Sequence, residues 1–229
     1  MKDVRFLKYT GKRHLEMYYS GREGRIKALE QILPTLEREG TLATIRHKGA
    51  KVYFIPRKNG KKILHLEHEV ACTQILVSLW RCRMEESEIM PERVFRGNDI
   101  VPDFGLRYSA RRGTMLLCEF CTEKNFSHGG VVKGKLTRYV KALTVIEEKA
   151  EREATVLFVI DADRRRIREF VERMKPVLSE GISGLTGEAR YPFFFADYKT
   201  FKSVPIGKAL TSKIYLWHDG KEWALTDHD

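Results

Sequence analysis

The sequence predicts a mixed α/β protein in two parts, a small basic one and a larger neutral one. Three observations carry that expectation. Helical and strand-like patterns follow one another along the chain. Positive charge is crowded into the first quarter. Beyond residue 63, apolar strands alternate with long helices, the order expected of α/β folds with a mixed central sheet.

The charge is uneven. The net charge is +11 over 229 residues. Residues 1–62 hold 16 Lys+Arg against 6 Asp+Glu, and residues 63–229 hold 26 against 25. A basic module beside a neutral one is what contact with a phosphate backbone requires. The plain alternative is a solvated basic surface with no partner.

In the first domain, residues 1–62, Thr10 to Gly21 reads as a short helix capped by Thr10. A second helix follows in GREGRIKALEQILPTLEREG. Ile26, Leu29, Ile32, Leu33 and Leu36 recur at helical spacing, with Arg22, Arg25, Lys27 and Arg38 assigned to the other face. Pro34 is expected to loosen its last turn. Leu42–Arg46 and Lys51–Ile55 read as strands joined by a turn at His47–Ala50. Helix, helix and ribbon is the order of a winged helix-turn-helix. Its second helix enters the major groove of duplex DNA, and its ribbon touches an adjacent phosphate. Arg22, Arg25, Lys27, Arg46, Lys48 and Lys51 are the expected DNA contacts. Only about nine residues precede the first helix, too few for the additional helix such domains usually carry.

The second domain, residues 63–229, opens with a helix over Leu64–Arg81. An extended run reaches Tyr108, and Ala110–Gly113 reads as a hairpin turn. Thr114–Cys121 is a strand, Asn125–Gly130 a loop, Val131 to about Arg152 a long helix, and Thr155–Ile160 a central strand. Asp163 caps the next helix. Tyr191–Ala196, Lys213–Trp217 and Lys221–Leu225 are further strands, with the aromatic run at Tyr191–Phe195 expected in the core.

Several classes are disfavoured. The apolar stretches are too short to cross a bilayer, and the charged N-terminal segment lacks a signal-peptide pattern. Four cysteines in a chain of this size suggest a reducing cytoplasm rather than a disulfide framework. Cys118 and Cys121 form a CxxC, but on one strand they face opposite sides, which argues against zinc.

The chemically suggestive pair is Asp103 and Glu119. Each is a carboxylate inside an otherwise apolar strand, costly unless paired or metal-bound. Carboxylates on neighbouring strands can hold Mg²⁺, which takes oxygen ligands. The plain alternative is that Arg96, Arg107 or backbone donors satisfy them.

Pro102-Asp103, a hairpin and Glu119 together resemble the PD-(D/E)XK nuclease superfamily, in which the second domain would be restriction-endonuclease-like. More narrowly, the chain is similar to the replication-relaxation family of plasmid proteins, which join an N-terminal winged helix to a nuclease-like domain. The matching pieces are His68 in HLEHEV, Val101-Pro-Asp103, Leu117–Cys121, Lys135–Tyr139, Val156–Val159 and Ile214–Trp217. The helix before the pair, with Glu67 and Glu69, also occupies its expected place. One departure stands out. The superfamily places a lysine two residues after the second carboxylate, and here that position is Cys121. The resemblance points to Lys135, with Lys124 and Lys133 as alternatives, as a lysine displaced onto the next segment. It therefore implies Asp103, Glu119 and Lys135 as a catalytic set, with Asp103 and Glu119 as metal ligands.

The resulting expectation is a cytoplasmic DNA-binding protein of plasmid replication or mobilisation. Its nuclease-like domain serves DNA contact or assembly, with a relaxase or replication initiator as partner. The first alternative is an active Mg²⁺-dependent DNA endonuclease. The second is a transcriptional regulator. A homodimer suits a two-fold DNA site, and no membrane partner is expected.

Overall fold

The computed structural model describes residues 9–11, 14–16, 23–55, 66–80, 88–89, 100–107, 115–128, 130–179, 182–183, 189–204 and 208–228. The chain divides into two compact units, Met1–Arg81 and Cys82–Asp229. The division thus falls after the helix that the sequence assigns to the second domain, rather than near residue 62.

The first unit is built on a three-stranded antiparallel sheet of order β1-β3-β2. Its strands are β1 (Tyr9–Gly11), β2 (Ala43–His47) and β3 (Ala50–Phe54). The turn at His47–Ala50 forms as expected. Lys48 and Gly49 have φ of 47° and 80°. Two successive positive φ values match the right-handed twist of a tight hairpin. Thr10 does not cap a helix but lies in β1, with Tyr53 as its partner across the ladder. Residues 14–16 are helical. His14 Nδ1 accepts the Gly11 amide at 3.2 Å, which ties that turn to the end of β1.

Helix α1 spans Glu23–Arg38 and runs through Pro34. It buries Leu33 and half-buries Ile26, Leu29 and Leu36, but Ile32, at the margin of that stripe, is 48% exposed. Helix α2 spans Leu66–Trp80. Residues 71–79 are all buried, and α2 packs against β1.

The second unit is organised by a seven-stranded mixed sheet. In chain order its strands are β4 (Glu88–Ile89), β5 (Phe104–Arg107), β6 (Met115–Cys121), β7 (Ala154–Ile160), β10 (Phe193–Asp197), β11 (Tyr215–Leu216) and β12 (Glu222–Trp223). In space the order is β12-β11-β10-β7-β6-β5-β4. Pairing is antiparallel through β4-β5-β6, parallel through β6-β7-β10, and antiparallel again through β10-β11-β12. A separate ribbon pairs β8 (Ile182–Ser183) with β9 (Ala189–Arg190).

The central strands are buried along their length, which explains their unbroken apolar sequence. The parallel connection from β6 to β7 is made by α3 (Glu123–Ser127) and α4 (Val131–Ala150). The segment read as a loop at 125–130 therefore begins inside a short helix, because Thr122 accepts the Asn125 amide and starts it. Helix α5 (Arg164–Leu178) follows β7, with Asp163 as its N-cap as expected. Met115, Leu117 and Cys121 of β6 share one core cluster with Val132, Leu136, Tyr139, Leu143 and Ile146 of α4. Each such aliphatic side chain, fully buried, contributes about 1.5–3 kcal/mol.

The other edge is held by polar contacts. Arg164 donates to Asp197 at 2.7 Å and to the Ile214 carbonyl at 3.0 Å, and pairs with Glu222 at 2.9 Å. Asp197 in turn caps α6 (Tyr198–Ser203) through the Thr200 amide. The aromatic run of β10 is core: Phe193, Phe194 and Phe195 are all buried. The hairpin turn expected at Ala110–Gly113 lies outside the described residues. Among the described residues, no helix is long and apolar enough to cross a membrane.

Candidate metal and phosphate centre

Alternation along β6 decides where Glu119 goes. Residues 115, 117 and 121 face α4, so residue 119 faces it as well. Glu119 is only 1% exposed, and its neighbours on both sides are apolar. A carboxylate there needs donors, and α4 supplies two. Lys135 and Tyr139 are four residues apart and hence neighbours on one helix face. The Tyr139 hydroxyl donates to Glu119 Oε1 at 2.8 Å, and Lys135 Nζ donates to Oε2.

Asp103 stands immediately before β5. Its amide donates to the Cys118 carbonyl at 3.0 Å, and its Oδ2 accepts the Phe120 amide at 2.7 Å. These two bonds fasten Asp103 on either side of Glu119 in the adjoining strand. The backbone-donor alternative is thus realised for Asp103 in part, while Glu119 is held by a lysine and a tyrosine rather than by an arginine.

The electrostatics follow from burial. Desolvation raises the Glu119 carboxyl above its ordinary range, and the negative charge of Asp103 raises it further against the opposing pull of Lys135. Burial is the largest influence on Lys135 and acts to lower it, but the charge of Glu119, the hydrogen bond to it and the charge of Asp103 together outweigh burial and raise the ammonium above its ordinary range. Burial also raises the Tyr139 phenol, so it remains a donor. The Cys121 thiol is pushed up to about 12, first by desolvation. It stays neutral at physiological pH and cannot act as a cation. Cys121 also lies in the core cluster facing α4, whereas Cys118 is buried outside that cluster. The opposite orientation expected for a CxxC on a strand is observed.

Asp103, Glu119 and Lys135 are therefore brought together, with Lys135 approaching from the helix that follows the strand. The sequence does not single out Tyr139 as a functional residue. The available signal is its spacing of four from Lys135 on a helix facing an acidic strand position. The donor set fits a hard divalent cation: carboxylate oxygens from Asp103, just before β5, and Glu119, within β6, are the ligand type that Mg²⁺ takes. Mg²⁺ held by Asp103 and Glu119 would stabilise negative charge developing on a phosphate oxygen. Among the chain's own groups, Tyr139 fixes the orientation of Glu119. Lys135, whose ammonium is directed at Glu119, has the more accessible side chain of the two, 26% exposed against 2%.

No protein-family model, curated protein or solved structure matches the chain.

The basic residues of the first unit are distributed differently from the sequence expectation. Arg25, Lys27, Arg38, Arg46 and Lys48 are exposed, and Arg22 lies outside the described residues. Lys51 pairs with Glu37 at 2.5 Å, and Glu37 also accepts the Thr44 hydroxyl at 2.7 Å. That contact joins α1 to the ribbon and lowers the Glu37 carboxyl, chiefly through the Lys51 hydrogen bond. Lys48 at the turn approaches Glu67 at 3.3 Å, with both side chains largely exposed. Solvent-screened surface pairs of this kind add little stability, so either lysine can exchange its carboxylate for a phosphate at small cost. Among the described residues, Lys27 and Arg46 have no ionic partner.

Proposed function

We propose that this protein binds duplex DNA through its first unit and cleaves a phosphodiester bond with a Mg²⁺-dependent centre at Asp103, Glu119 and Lys135. The observation that carries the reading is the contact of Lys135 with Glu119. It brings an ammonium to the paired carboxylates even though Cys121 occupies the position of the usual lysine. An ammonium there stabilises a developing oxyanion, which a neutral thiol cannot do.

The topology supports the same reading. An antiparallel meander β4-β5-β6, a crossover through α4 and a parallel β7 agree with a restriction-endonuclease-like domain, with Asp103 at the start of one strand and Glu119 inside the next. The β1-β3-β2 sheet with α1 supports a winged helix-turn-helix, in which α1 enters the major groove and Arg46 and Lys48 approach the backbone. In that reading α2, packed on β1, supplies a third helix from the C-terminal side. A role in plasmid replication or mobilisation, with a relaxase or replication initiator as partner, rests on the sequence resemblance alone.

One observation favours a second reading, a nuclease-like domain used only for DNA contact or assembly. Both oxygens of Glu119 already accept hydrogen bonds, from Tyr139 and Lys135. A metal ligand must share or exchange those donors. Nicking of supercoiled DNA with and without Mg²⁺ separates the two readings, since only the first produces nicks.

A further inference from the structure

Away from the carboxylate pair, the second unit carries a cleft of about 350 Å³ between α3, the first turn of α4, and α5. Phe126 and Phe170, both in its lining, lie edge to face with ring centroids 5.6 Å apart. Lys133, Arg166 and Arg173 supply three cations to its lining, against the single carboxylate of Glu169. Arg165, outside the lining, approaches Glu169 at 3.6 Å and offsets part of its charge.

The three cations are not equivalent. Arg166 is fixed: it pairs with Glu123 at 3.2 Å, donates to Ser127 at 2.9 Å, and lies over the Phe126 ring at 5.7 Å. Lys133 and Arg173 have no carboxylate partner among the described residues. The only hydrogen bond of the Arg173 guanidinium there runs from Nε to the Glu169 carbonyl of its own helix. In addition, α4 begins at Gly130 with no side-chain cap and no acidic residue in its first turn. The positive end of that helix dipole adds to the field of Lys133. Cations gathered in a concave wall repel one another until an anion enters, and the planar fork of arginine suits a phosphate. The volume is that of a small-ligand site.

We propose that this cleft binds a phosphate ester, with Lys133 and Arg173 as the gripping charges and Arg166 as the fixed wall. The ester comes either from a free nucleotide or from a DNA strand, and the same chemistry serves both. None of these residues belongs to the Asp103–Glu119–Lys135 centre, so the site stands whether or not that centre is catalytic.

The test uses the full chain. Calorimetry measures deoxyadenosine monophosphate, and the salt dependence of binding is measured with a short duplex. Lys133→Met with Arg173→Met is compared with wild type and with Glu169→Gln. For a free nucleotide, the double variant loses about tenfold in nucleotide affinity, and Glu169→Gln tightens binding severalfold. For a strand, the double variant lowers the slope of log K against log salt by about 1–2, one increment for each phosphate that is no longer neutralised. An unchanged nucleotide affinity together with an unchanged salt slope in both variants overturns the proposal. The Glu169→Gln arm expects a gain, which a loss of folding does not imitate.

Discussion

Tyr139 and Glu119, twenty positions apart in the chain, are joined by a 2.8 Å hydrogen bond between a fully buried phenol and a fully buried carboxylate. The bond fixes which way the Glu119 oxygens point. Tyr139→Phe keeps the ring in its edge contact with Phe158 but leaves Oε1 without its donor. An unsatisfied buried acceptor costs about 1–3 kcal/mol. Chemical denaturation should show that loss of stability, and DNA cleavage should fall while duplex binding by the first unit is unchanged.

Removing the lysine should be more costly. Lys135→Met leaves Glu119 buried beside Asp103 with no positive charge, a change worth about 3–5 kcal/mol for a buried pair. Glu119 then folds best in its protonated form. A carboxyl raised on folding contributes stability below its unfolded pKa and loses it as pH rises through the folded value. Melting temperatures of Lys135→Met should therefore fall from mildly acidic towards neutral pH more steeply than those of wild type.

Arg190 and Glu147 offer a purely structural control. Glu147 has no exposure and pairs with Arg190, while its Oε1 accepts the Ala154 amide at 2.7 Å. Arg190 Nη1 also donates to the Ala154 carbonyl at 2.8 Å. Arg190→Met should destabilise the protein by about 3–5 kcal/mol, and Arg190→Met with Glu147→Gln should recover part of it. Denaturation midpoints of the three proteins test this directly.

Asp197 gives the opposite pH dependence. Burial pushes its carboxyl up, but the Thr200 amide and Arg164 outweigh burial and hold it below the ordinary range. A lowered carboxyl contributes stability above its unfolded pKa and loses it as pH falls through the folded value. Asp197→Ala should cost stability at neutral pH and show a weaker acid-induced loss than wild type.

Much of this arrangement is legible in the sequence. The long strands β6, β7 and β10 and the helices α4 and α5 follow from unbroken apolar runs and strong helical periodicity. The hairpin follows from Lys48-Gly49. The approach of Lys135 to Glu119 is expected only through the resemblance, which points to a displaced lysine because Cys121 occupies the usual position. What escapes the sequence depends on contacts from elsewhere. Thr10 reads as a helix cap locally, but the ladder with β3 takes it into a strand. Lys51 reads as a free basic residue, but Glu37 on α1 claims it. Tyr139 enters the sequence reading only as the end of the Lys135–Tyr139 match, and its hydrogen bond to Glu119 sets it apart from the other buried residues of α4.

Lys27 and Arg46, without ionic partners among the described residues, should carry more of the DNA contact than Lys51. Lys27→Ala with Arg46→Ala should lower the salt slope of duplex binding by about 2. Lys51→Ala should change it less, because the free Glu37 carboxylate left behind is its main consequence. Filter binding across a salt series checks both.

The most direct measurement is incubation of supercoiled plasmid with wild type, Asp103→Ala and Lys135→Ala in Mg²⁺, in Mn²⁺ and after chelation. Wild type with metal should give nicked or linear product, and Asp103→Ala or chelation should give none. Lys135→Ala should show a loss as well. Intact plasmid under every condition, from wild-type protein that still binds duplex DNA, would contradict the proposed cleavage and leave the second unit as a module for DNA contact or assembly.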